Sequence, residues 1–354
     1  METEQKTVSR CSCTPSPQAP SCDCPADSPR AEIRTTTGTI TSANRLDHLL
    51  ARWGWNRGGH RVEPGLYRLG SPIAASPVFA SANYTLSFDA LRSALAGLDA
   101  WILVLDTKGI NVWCAAGKGT FGTEELVRRI LAADLASLVS HRTIIVPQLG
   151  APGISSLDVA RRSGFAVEYG PVRARDLPEY LETHTATPAM RRVEFPVADR
   201  IVLAPVELVM ALPMFIAAVV LWFLAGPIAA LAAVSTILSG TVLFPILLPF
   251  IPTKDFSTKG LILGAVVALP FAVAFGTNPA LPLWADALSA VTTLLVMSAV
   301  VSYFALNFTG STTFTSRTGV KKEIFTYVPV MAVMAVVGSL AGIALLAGRL
   351  FGVI

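Results

Sequence analysis

The first half of the chain alternates short strand-like runs with runs of helical periodicity. The run AWILVLD, at 100–106, is continuously apolar, which is typical of a strand buried on both faces of a parallel sheet. The run SFDALRSALAGL, at 87–98, has the spacing of apolar positions expected for an amphipathic helix. Strands that alternate with helices predict a doubly wound, Rossmann-like α/β domain, which we place at residues 45–183.

The second half follows a different pattern, in which long apolar stretches replace the alternation. A helix needs about 20 apolar residues to cross a bilayer, and the third of these stretches is short and contains Pro270. We therefore predict an all-α transmembrane domain at residues 201–354, preceded by a juxtamembrane linker at 184–200. Its five helices are expected at about 203–225, 228–251, 260–276, 283–308 and 325–347.

The charged residues are divided unequally between the halves and predict an orientation. The net charge is only +4, and most of the 28 Lys and Arg residues precede Ile201. Cations beside helix ends favour the cytoplasmic side; the connections at 254–259 and 317–322 hold them, whereas those at 226–227 and 277–282 hold none. This predicts an inner-membrane protein with its α/β domain in the cytoplasm and its C-terminus outside. A basic stripe with interleaved aromatic residues is absent from the sequence, so nucleic acid is not an expected partner.

Two acidic residues, Glu207 and Asp286, lie within the apolar stretches, where an acid can indicate an ion path. Both lie within about a turn of the end of a span, so we interpret them as interfacial side chains that reach water and headgroups. The helix interiors carry no predicted charge. This favours an anchor or a platform over a transporter.

The N-terminal residues 1–44 are rich in Ser, Thr, Pro and Ala, which predicts a disordered tail. The tail contains two C-x-C pairs, Cys11 with Cys13 and Cys22 with Cys24. Soft thiolates favour soft metals, so the pairs could capture Hg(II), although the spacing is not that of a zinc ribbon or a ferredoxin. A dispensable tail with incidental cysteines is the alternative.

The stretch GINVWCAAGKG, at 109–119, follows the central apolar run closely. Ligands of open α/β sheets bind outside the carboxyl ends of the strands, so this stretch is placed where a ligand is expected. It is not a P-loop, since Val112 stands where the first Gly belongs and Gly119 where the hydroxyl belongs. The glycines at 117, 119 and 122 do not follow the strand directly either, as a dinucleotide-binding turn requires.

Cys114 within this stretch admits three interpretations. A nucleophile would need a His partner, but none of the four His residues lies in a recognisable cysteine-enzyme signature. A buried core cysteine would leave the run of small neighbours unexplained. A metal ligand would lie on a short helix at 111–118, with Asn111 as its cap and Gly117 as its end, whose small side chains let a flat macrocycle approach. The His residues are His48, His60, His141 and His184.

The eight residues NVWCAAGK, at 111–118, resemble the signature of the membrane-anchored corrinoid proteins of microbial mercury methylation, the HgcA-type mercury methyltransferases. That family is related to the corrinoid iron–sulfur proteins of the acetyl-CoA pathway. The resemblance covers about 46–181 and the five-helix tail, and includes the runs RVEPGLY, SANYTLSFDALR, DTKGINVWCAAGKGTFGTEE and PQLGAPG. The cysteine pairs of the N-terminal tail are not part of the family pattern.

The resemblance implies a cofactor and its contacts. The cofactor is a cobalamin-type corrinoid, whose cobalt is bound from the lower face by the Cys114 thiolate. Thr85 is implied to lie near the upper face. The other implied cofactor-binding residues belong to the helix under the ring, and they are Asn111, Val112, Trp113, Ala115, Ala116, Gly117 and Lys118.

The resemblance also implies an activity, a methyltransferase that passes a methyl group from methyl-Co(III) to the substrate Hg(II) and forms methylmercury. The chain has no C-x2-C-x2-C-x3-C run, so no iron–sulfur cluster is expected in it. Electrons would come from a ferredoxin-like [4Fe-4S] partner, and a methyl-tetrahydrofolate-type system would supply the methyl group. Two alternatives stay open: a membrane-bound corrinoid methyl carrier for another acceptor in one-carbon metabolism, and a non-catalytic membrane sensor that binds metal through its tail.

Overall fold

A computed structural model of the chain describes residues 32–312 and 314–353, which form two compact units. Of the described residues, the first unit contains those up to Thr39 together with Arg61–Ala186, and the second contains Ile40–His60 and those from Thr187 onward. The four tail cysteines, Cys11, Cys13, Cys22 and Cys24, lie outside the described residues. Metal capture by the tail therefore stays a hypothesis.

The first unit is a six-stranded sheet with helices on both faces, in the strand order β1-β2-β4-β3-β5-β6. The strands are β1 (Arg34–Thr36), β2 (Gly65–Leu69), β3 (Val78–Ala82), β4 (Ala100–Leu105), β5 (Thr143–Val146) and β6 (Ala166–Tyr169). Because α1 belongs to the other unit, the helices here are numbered from α2. They are α2 (Thr85–Ala94), α3 (Val112–Lys118), α4 (Thr123–Ala132), α5 (Leu135–Leu138), α6 (Ser156–Ser163) and α7 (Leu177–Thr183).

Strand β4 lies inside the sheet and is buried on both faces, as its apolar run predicts. Trp101 and Leu103 pack with side chains of α4 and α6 in one hydrophobic cluster. Ile102 and Val104, at the alternate positions, pack with side chains of α2 and α7 in another. The alternation of side chains along a strand thus divides one apolar run between two layers. The predicted α/β domain is confirmed at this level.

The sheet is mixed rather than wholly parallel. Strand β2 runs antiparallel to β4, whereas the other strand pairs are parallel. The connection from β2 to β3 is only residues 70–77, and two parallel strands need a crossover of about a dozen residues or more. So short a connection returns the chain in the opposite direction. The expectation of a parallel sheet is therefore wrong at β2.

Secondary structure begins before the predicted end of the tail at residue 44. Strand β1 pairs in parallel with β2, and Arg92 Nη1 donates hydrogen bonds to the carbonyl oxygens of Thr37 and Thr39 at 2.5 and 2.7 Å. Helix α1 (Ser42–Arg52) begins at Thr41, whose hydroxyl accepts a hydrogen bond from the Asn44 N–H at 3.3 Å. Composition missed this region because partners distant in sequence, and a local cap, order it. Helix α1 also groups with the second unit and not with the α/β domain to which it was assigned.

The second unit is helical. Besides α1 its helices are α8 (Pro188–Arg191), α9 (Val197–Ile201), α10 (Ala204–Met210), α11 (Leu212–Ala225), α12 (Pro227–Leu238), α13 (Phe244–Leu247), α14 (Phe256–Gly276), α15 (Leu283–Phe308) and α16 (Arg317–Leu350). A π-helical turn at Ser239–Leu243 joins α12 to α13. Among the described residues, four helical segments are long and apolar enough to cross a membrane: Pro227–Leu247, Phe256–Gly276, Leu283–Ser311 and Arg317–Leu350.

The first predicted span, at 203–225, is a broken helix. Val197–Met210 and Leu212–Ala225 are bent by 60° where they meet. Pro213 lies in the first turn of α11, and its missing N–H cannot continue the hydrogen bonds of a helix. The two pieces make a fifth span only if they cross together. The third span, by contrast, is longer than expected, because α14 begins at Phe256, before the predicted start at 260, and continues through Pro270 for 21 residues.

Two buried cations close the C-terminal end of α13. Lys259 Nζ donates to the carbonyl oxygen of Leu248 at 3.0 Å, and Arg200 Nη1 donates to those of Pro245 and Ile246 at 2.9 and 2.7 Å. The last carbonyl groups of a helix have no partner within it, and they attract positive charge. Lys259, which the sequence analysis counted as a loop cation, therefore caps a helix instead.

The acidic residues of this unit are also held by the protein. Glu323, on α16, accepts hydrogen bonds from the N–H groups of Phe256 and Ser257 at 3.2 and 3.0 Å, at the start of α14. Asp286, expected to reach water, is only 8% exposed, and its Oδ1 has no hydrogen-bond partner in the described part of the chain. The interfacial interpretation of Asp286 is thus corrected, since packing around the start of α15 covers its side chain.

Candidate functional site

Helix α3, which carries Cys114, has a defined beginning and end. The Asn111 side chain accepts a hydrogen bond from the Cys114 N–H at 2.9 Å, which satisfies one of the unpaired donors of the first turn. Gly119, with φ +83°, takes the left-handed conformation that ends many helices. The helix predicted at 111–118, with its Asn111 cap, is confirmed. Its end is corrected from Gly117 to Gly119, because only Gly119 has the left-handed backbone.

The two faces of α3 differ in burial. Ala115 and Ala116 are buried in the cluster that also contains side chains of β3, β4 and β5. On the other face Gly117 is exposed and Cys114 is partly exposed. A Cβ atom placed on Gly117 would have no atom within 4 Å. The surface beside Cys114 is therefore open, and a flat ligand could lie against it without meeting a side chain at Gly117.

The loop that leads into α3 is organised by Asn83, which is only 2% exposed. Asn83 Oδ1 accepts hydrogen bonds from the N–H groups of Thr107 and Gly109, both at 3.0 Å, and lies 2.8 Å from Thr107 Oγ1. Its Nδ2 donates to Asp106 Oδ1 at 3.3 Å. Asn83 follows β3 and the loop follows β4. One buried carboxamide therefore ties together the carboxyl ends of two neighbouring strands.

Glu125 of α4 holds the same loop from the other side. Its Oε1 accepts a hydrogen bond from the Asp106 N–H at 2.9 Å, and also from Arg129 Nε at 2.8 Å. Burial acts to raise the pKa of Glu125, but the hydrogen bonds from Arg129, from the Asp106 N–H and from Arg128 outweigh it and lower the pKa. The stabilisation from this carboxylate is therefore present throughout the neutral range and is lost only as the pH falls through the lowered pKa.

A second glycine lets α3 pack against the chain that follows β5. Residues Gln148–Gly153 form a 3₁₀ helix beside α3. A Cβ atom on Gly153 would lie 2.2 Å from the Phe121 carbonyl oxygen and 3.1 Å from Ala116 Cα. Only glycine allows this approach without a shift of the backbone. The segments after β3, β4 and β5 thus converge at the carboxyl edge of the sheet.

Thr85, the other singled-out residue, is the first residue of α2 and is 8% exposed. Strands β3 and β4 are parallel neighbours, so Thr85 and α3 follow the same edge of the sheet. The rest of the predicted set divides by burial: Ala115 and Ala116 are buried, Val112 and Trp113 are partly buried, and Asn111 and Lys118 are exposed.

Other chemistry has less support among the described residues. Three of the four His residues contact groups other than a thiol: His60 contacts Asp47, His141 the Ser76 carbonyl oxygen, and His184 Glu168. Within residues 32–312 and 314–353, no group of three or more His, Cys, Asp and Glu side chains could hold a metal ion.

Comparison with known proteins gives a family match in the first half of the chain. Residues 56–178 match the family described as CO dehydrogenase/acetyl-CoA synthase delta subunit. The chain is 37% identical over 123 residues to acetyl-CoA decarbonylase/synthase complex subunit gamma of Methanopyrus kandleri, a match that covers 34% of this chain and 26% of that one. The subunits of Methanosarcina acetivorans and Archaeoglobus fulgidus are 32% and 29% identical over the same shares of the two chains.

The chain therefore spans about a quarter of the length of these curated relatives. The matched region contains Asn83, all of α3 and Gly153, and it excludes α8 to α16. The similarity agrees with the part of the sequence analysis that related this chain to proteins of the acetyl-CoA pathway. None of the three names refers to mercury. All three relatives are subunits of a complex.

Two positions of this site were not singled out from the sequence. Asn83 directly follows a predicted strand, and that position could have been a signal because polar residues at strand ends often serve ligands or loops. Gly153 lies in the run PQLGAPG, where Gly and Pro predict a turn without showing what the turn touches. Their partners, the loop at 106–110 and α3, become apparent only when the strands are placed side by side.

Replacement of Asn83 by alanine should loosen the loop before α3. The substitution leaves the N–H groups of Thr107 and Gly109 buried without a partner, which costs about 1–3 kcal/mol. Amide exchange at residues 107–110 should accelerate by roughly 5- to 150-fold, the factor that corresponds to this free energy. Hydrogen exchange of the full-length protein in detergent, measured by mass spectrometry, gives the rates.

Asn111→Ala is the matched control for this measurement. It removes only the cap of α3, so its effect should be confined to the first turn of that helix and should spare residue 109. Unchanged exchange at 107–110 in Asn83→Ala would show that the carboxamide does not hold the loop.

Proposed function

We propose that the first unit binds a corrinoid against the open face of α3, and that the protein is a corrinoid methyl carrier in one-carbon metabolism. The observation that carries this proposal is the arrangement of Cys114 and Gly117, a partly exposed thiol beside an open surface at the carboxyl edge of the sheet. The similarity of residues 56–178 to acetyl-CoA synthase subunits supports the class of metabolism.

The described residues fit a flat macrocycle with a soft metal. Cys114 supplies a sulfur ligand, and metal binding favours the thiolate over the thiol. Asn111 fixes the Cys114 backbone through the hydrogen bond at 2.9 Å. Ala115 and Ala116 face the core, so in this proposal they act by seating the helix and do not touch the ligand. When bound, the corrinoid supplies a cobalt–carbon bond that holds the methyl group.

Thr85 is proposed to line the opposite side of the same cleft. It lies after β3, as α3 lies after β4, and the two strands are parallel neighbours. Asn83, two residues before it, is the positioning residue for both sides because it bonds the loop before α3. The chain thus places a thiol and a hydroxyl on two segments joined by one buried side chain.

Corrinoid binding is the first test of this proposal. The full-length protein, reconstituted with cobalamin in detergent, should show a visible spectrum of thiolate-ligated cobalt, and Cys114→Ala should lose that spectrum. Gly117→Leu should abolish binding, because its side chain fills the open surface. Leucine favours a helix by about 0.5–1 kcal/mol over glycine, so this variant should remain folded.

Circular dichroism and hydrogen exchange of α3 provide the control for folding of the Gly117→Leu variant. The same spectrum in wild type and Cys114→Ala would remove Cys114 as a ligand. If Gly117→Leu bound cobalamin as wild type does, the ligand would not lie on this face. Absence of corrinoid binding by wild type would leave the sensor interpretation.

Hg(II) is the acceptor that we propose specifically, on the basis of the run NVWCAAGK. Hg(II) is an electrophile, so it would accept the methyl group as a carbanion or radical equivalent. Cys114 would hold the corrinoid through a soft, strongly electron-donating ligand, and a corrinoid held in this way would supply a methyl group suited to an electrophilic acceptor. A ferredoxin-like [4Fe-4S] partner is proposed to return electrons afterwards, and a methyl-tetrahydrofolate-type system to supply the next methyl group.

Methylated holoprotein mixed with Hg(II) should therefore yield methylmercury in a single turnover, measured by mass spectrometry, and Cys114→Ala should yield at least about tenfold less, which corresponds to 1.4 kcal/mol. A methylated protein that does not react with Hg(II) but passes its methyl group to another acceptor would support the methyl-carrier function alone.

Replacement of the four tail cysteines by serine tests metal capture by the tail. Equal yields of methylmercury at limiting Hg(II) would show that the tail plays no part.

We further propose that the second unit lies in the inner membrane, with the first unit in the cytoplasm and the C-terminus outside. The four apolar segments support the membrane location, and orientation depends on the bent pair. If Val197–Met210 and Leu212–Ala225 cross as one span, five crossings put the C-terminus outside.

A periplasmic phosphatase fused after residue 353 should consequently be active, and a fluorescent protein at the same place should be dark. Fusions at the N-terminus should give the reverse pattern. Cytoplasmic fluorescence at both termini would mean four crossings and would overturn the five-span orientation.

A further inference from the structure

A large cavity lies within the second unit, among α11, α12, α14, α15 and α16. Its volume is about 560 Å³, within the range of about 300–1,000 Å³ typical of ligand pockets. The wall is mainly apolar, with Met214, Leu221, Phe275 and Leu346 among its residues. A cavity with such a wall does not hold ordered water, since water needs several polar partners.

Several of the residues that line the cavity are small and leave room between the helices. Ala229 and Ala233 of α12, and Gly342 of α16, contribute little side chain to the wall. Helix α16 packs closely along α15, where a Cβ atom on Gly338 would lie 2.7 Å from Val296 Cγ2. A Cβ atom on Gly342, one turn later, would lie 3.5 Å from Thr292 Cγ2 of α15, and both glycines line the cavity beside this contact.

The polar groups of the wall are few and mostly satisfied. The hydroxyls of Thr236, Ser289 and Thr293 donate to backbone carbonyl oxygens one turn earlier, at 2.7, 2.7 and 2.9 Å. Thr292 Oγ1 is buried without a partner in the described part of the chain. Arg349, in the last turn of α16, is the only charged residue among those that line the cavity. The cavity is therefore apolar along its length and positive at one end.

We propose that the cavity holds one acyl chain of an anionic glycerophospholipid whose phosphate pairs with Arg349. This inference rests on the proposed membrane location, where acyl chains surround the helices. Arg349 is seven residues beyond Gly342, or about 10 Å along the helix axis, which places the cation at the end of α16 and the small residues deeper. A guanidinium binds phosphate through two parallel hydrogen bonds. The head and tail of one lipid thus match the charge and the apolar length of one cavity.

A simpler role for Arg349 makes a different prediction. A cation near the C-terminus of a helix is favoured by the helix dipole and by contact with water, and such a cation would not select a lipid. Retained lipid distinguishes the two roles. The full-length protein is reconstituted in nanodiscs of phosphatidylglycerol and phosphatidylcholine in equal amounts, then transferred to detergent and examined by native mass spectrometry.

Wild type should retain phosphatidylglycerol in preference to phosphatidylcholine, and Arg349→Gln should lower that preference about tenfold, which corresponds to 1.4 kcal/mol, because the variant loses a charge-assisted hydrogen bond to phosphate. Gly342→Leu should fill the cavity and lose both lipids. Arg317→Gln, at the other end of α16, is the matched control and should behave as wild type. Thr292→Val should retain lipid at least as well as wild type, because an acyl chain makes no hydrogen bond to this hydroxyl.

Equal preference in wild type and Arg349→Gln, or unchanged retention in Gly342→Leu, would overturn the proposal. Loss of lipid in Thr292→Val would also overturn it, since that result requires an occupant with a polar group inside the cavity. Fractionation of the same cells separates this failure from failure of the membrane location: protein found in the soluble fraction without detergent contradicts the location itself.

Discussion

The candidate site depends on one buried hydrogen-bond acceptor, the carboxamide oxygen of Asn83. It accepts from the N–H groups of Thr107 and Gly109, so the loop after β4 cannot move independently of the end of β3. Backbone groups in such a loop are costly to bury unless they are paired. Once Asn83 and Glu125 pair them, the chain enters α3 from a fixed point. Asn111 and Gly119 then set where the helix starts and stops, and therefore which way Cys114 points.

Much of this site could be predicted from local signals. The apolar run of β4 predicted a buried strand, and Asn111 predicted the start of α3, because strand burial and helix capping are properties of a few adjacent residues. The reversed direction of β2 depends on how short the connection between β2 and β3 is. The meaning of that length depends on the strand order of the sheet, which the sequence does not show. Asn83 and Gly153 act through partners in other segments, so no window of neighbouring residues contains their role. The same holds for β1, which is polar in composition and is ordered by pairing with β2.

In the second unit, the positions of charged residues in the sequence likewise do not show what each charge binds. A count of cations beside apolar stretches treats every Lys and Arg as available to the membrane surface, but Lys259 and Arg200 are used to bind the carbonyl groups at the end of α13. Glu323 accepts hydrogen bonds from N–H groups in the first turn of α14, the turn that also contains Lys259. These charges stabilise a tight connection between two apolar helices, where unpaired backbone groups would otherwise face protein or lipid. Orientation therefore has to be argued from the cations that remain, such as Lys254, Lys321 and Lys322.

The geometry constrains the cofactor more strongly than the acceptor. An open surface beside a partly exposed thiol selects a flat group that contains a soft metal, and the requirement involves only α3, its cap and the absence of a side chain at Gly117. The proposed methyl acceptor is argued from the run NVWCAAGK, and Thr85 is the other residue that the proposal assigns to the site. The similarity of residues 56–178 to acetyl-CoA synthase subunits supports the class of domain, and the proposal assigns the choice of acceptor to the ligand that Cys114 supplies. Within this proposal, the electron-donating strength of the metal ligand is the property that could adapt such a domain to an electrophilic methyl acceptor. A thiolate at Cys114 changes that strength through a single side chain, without any change in the fold that presents it.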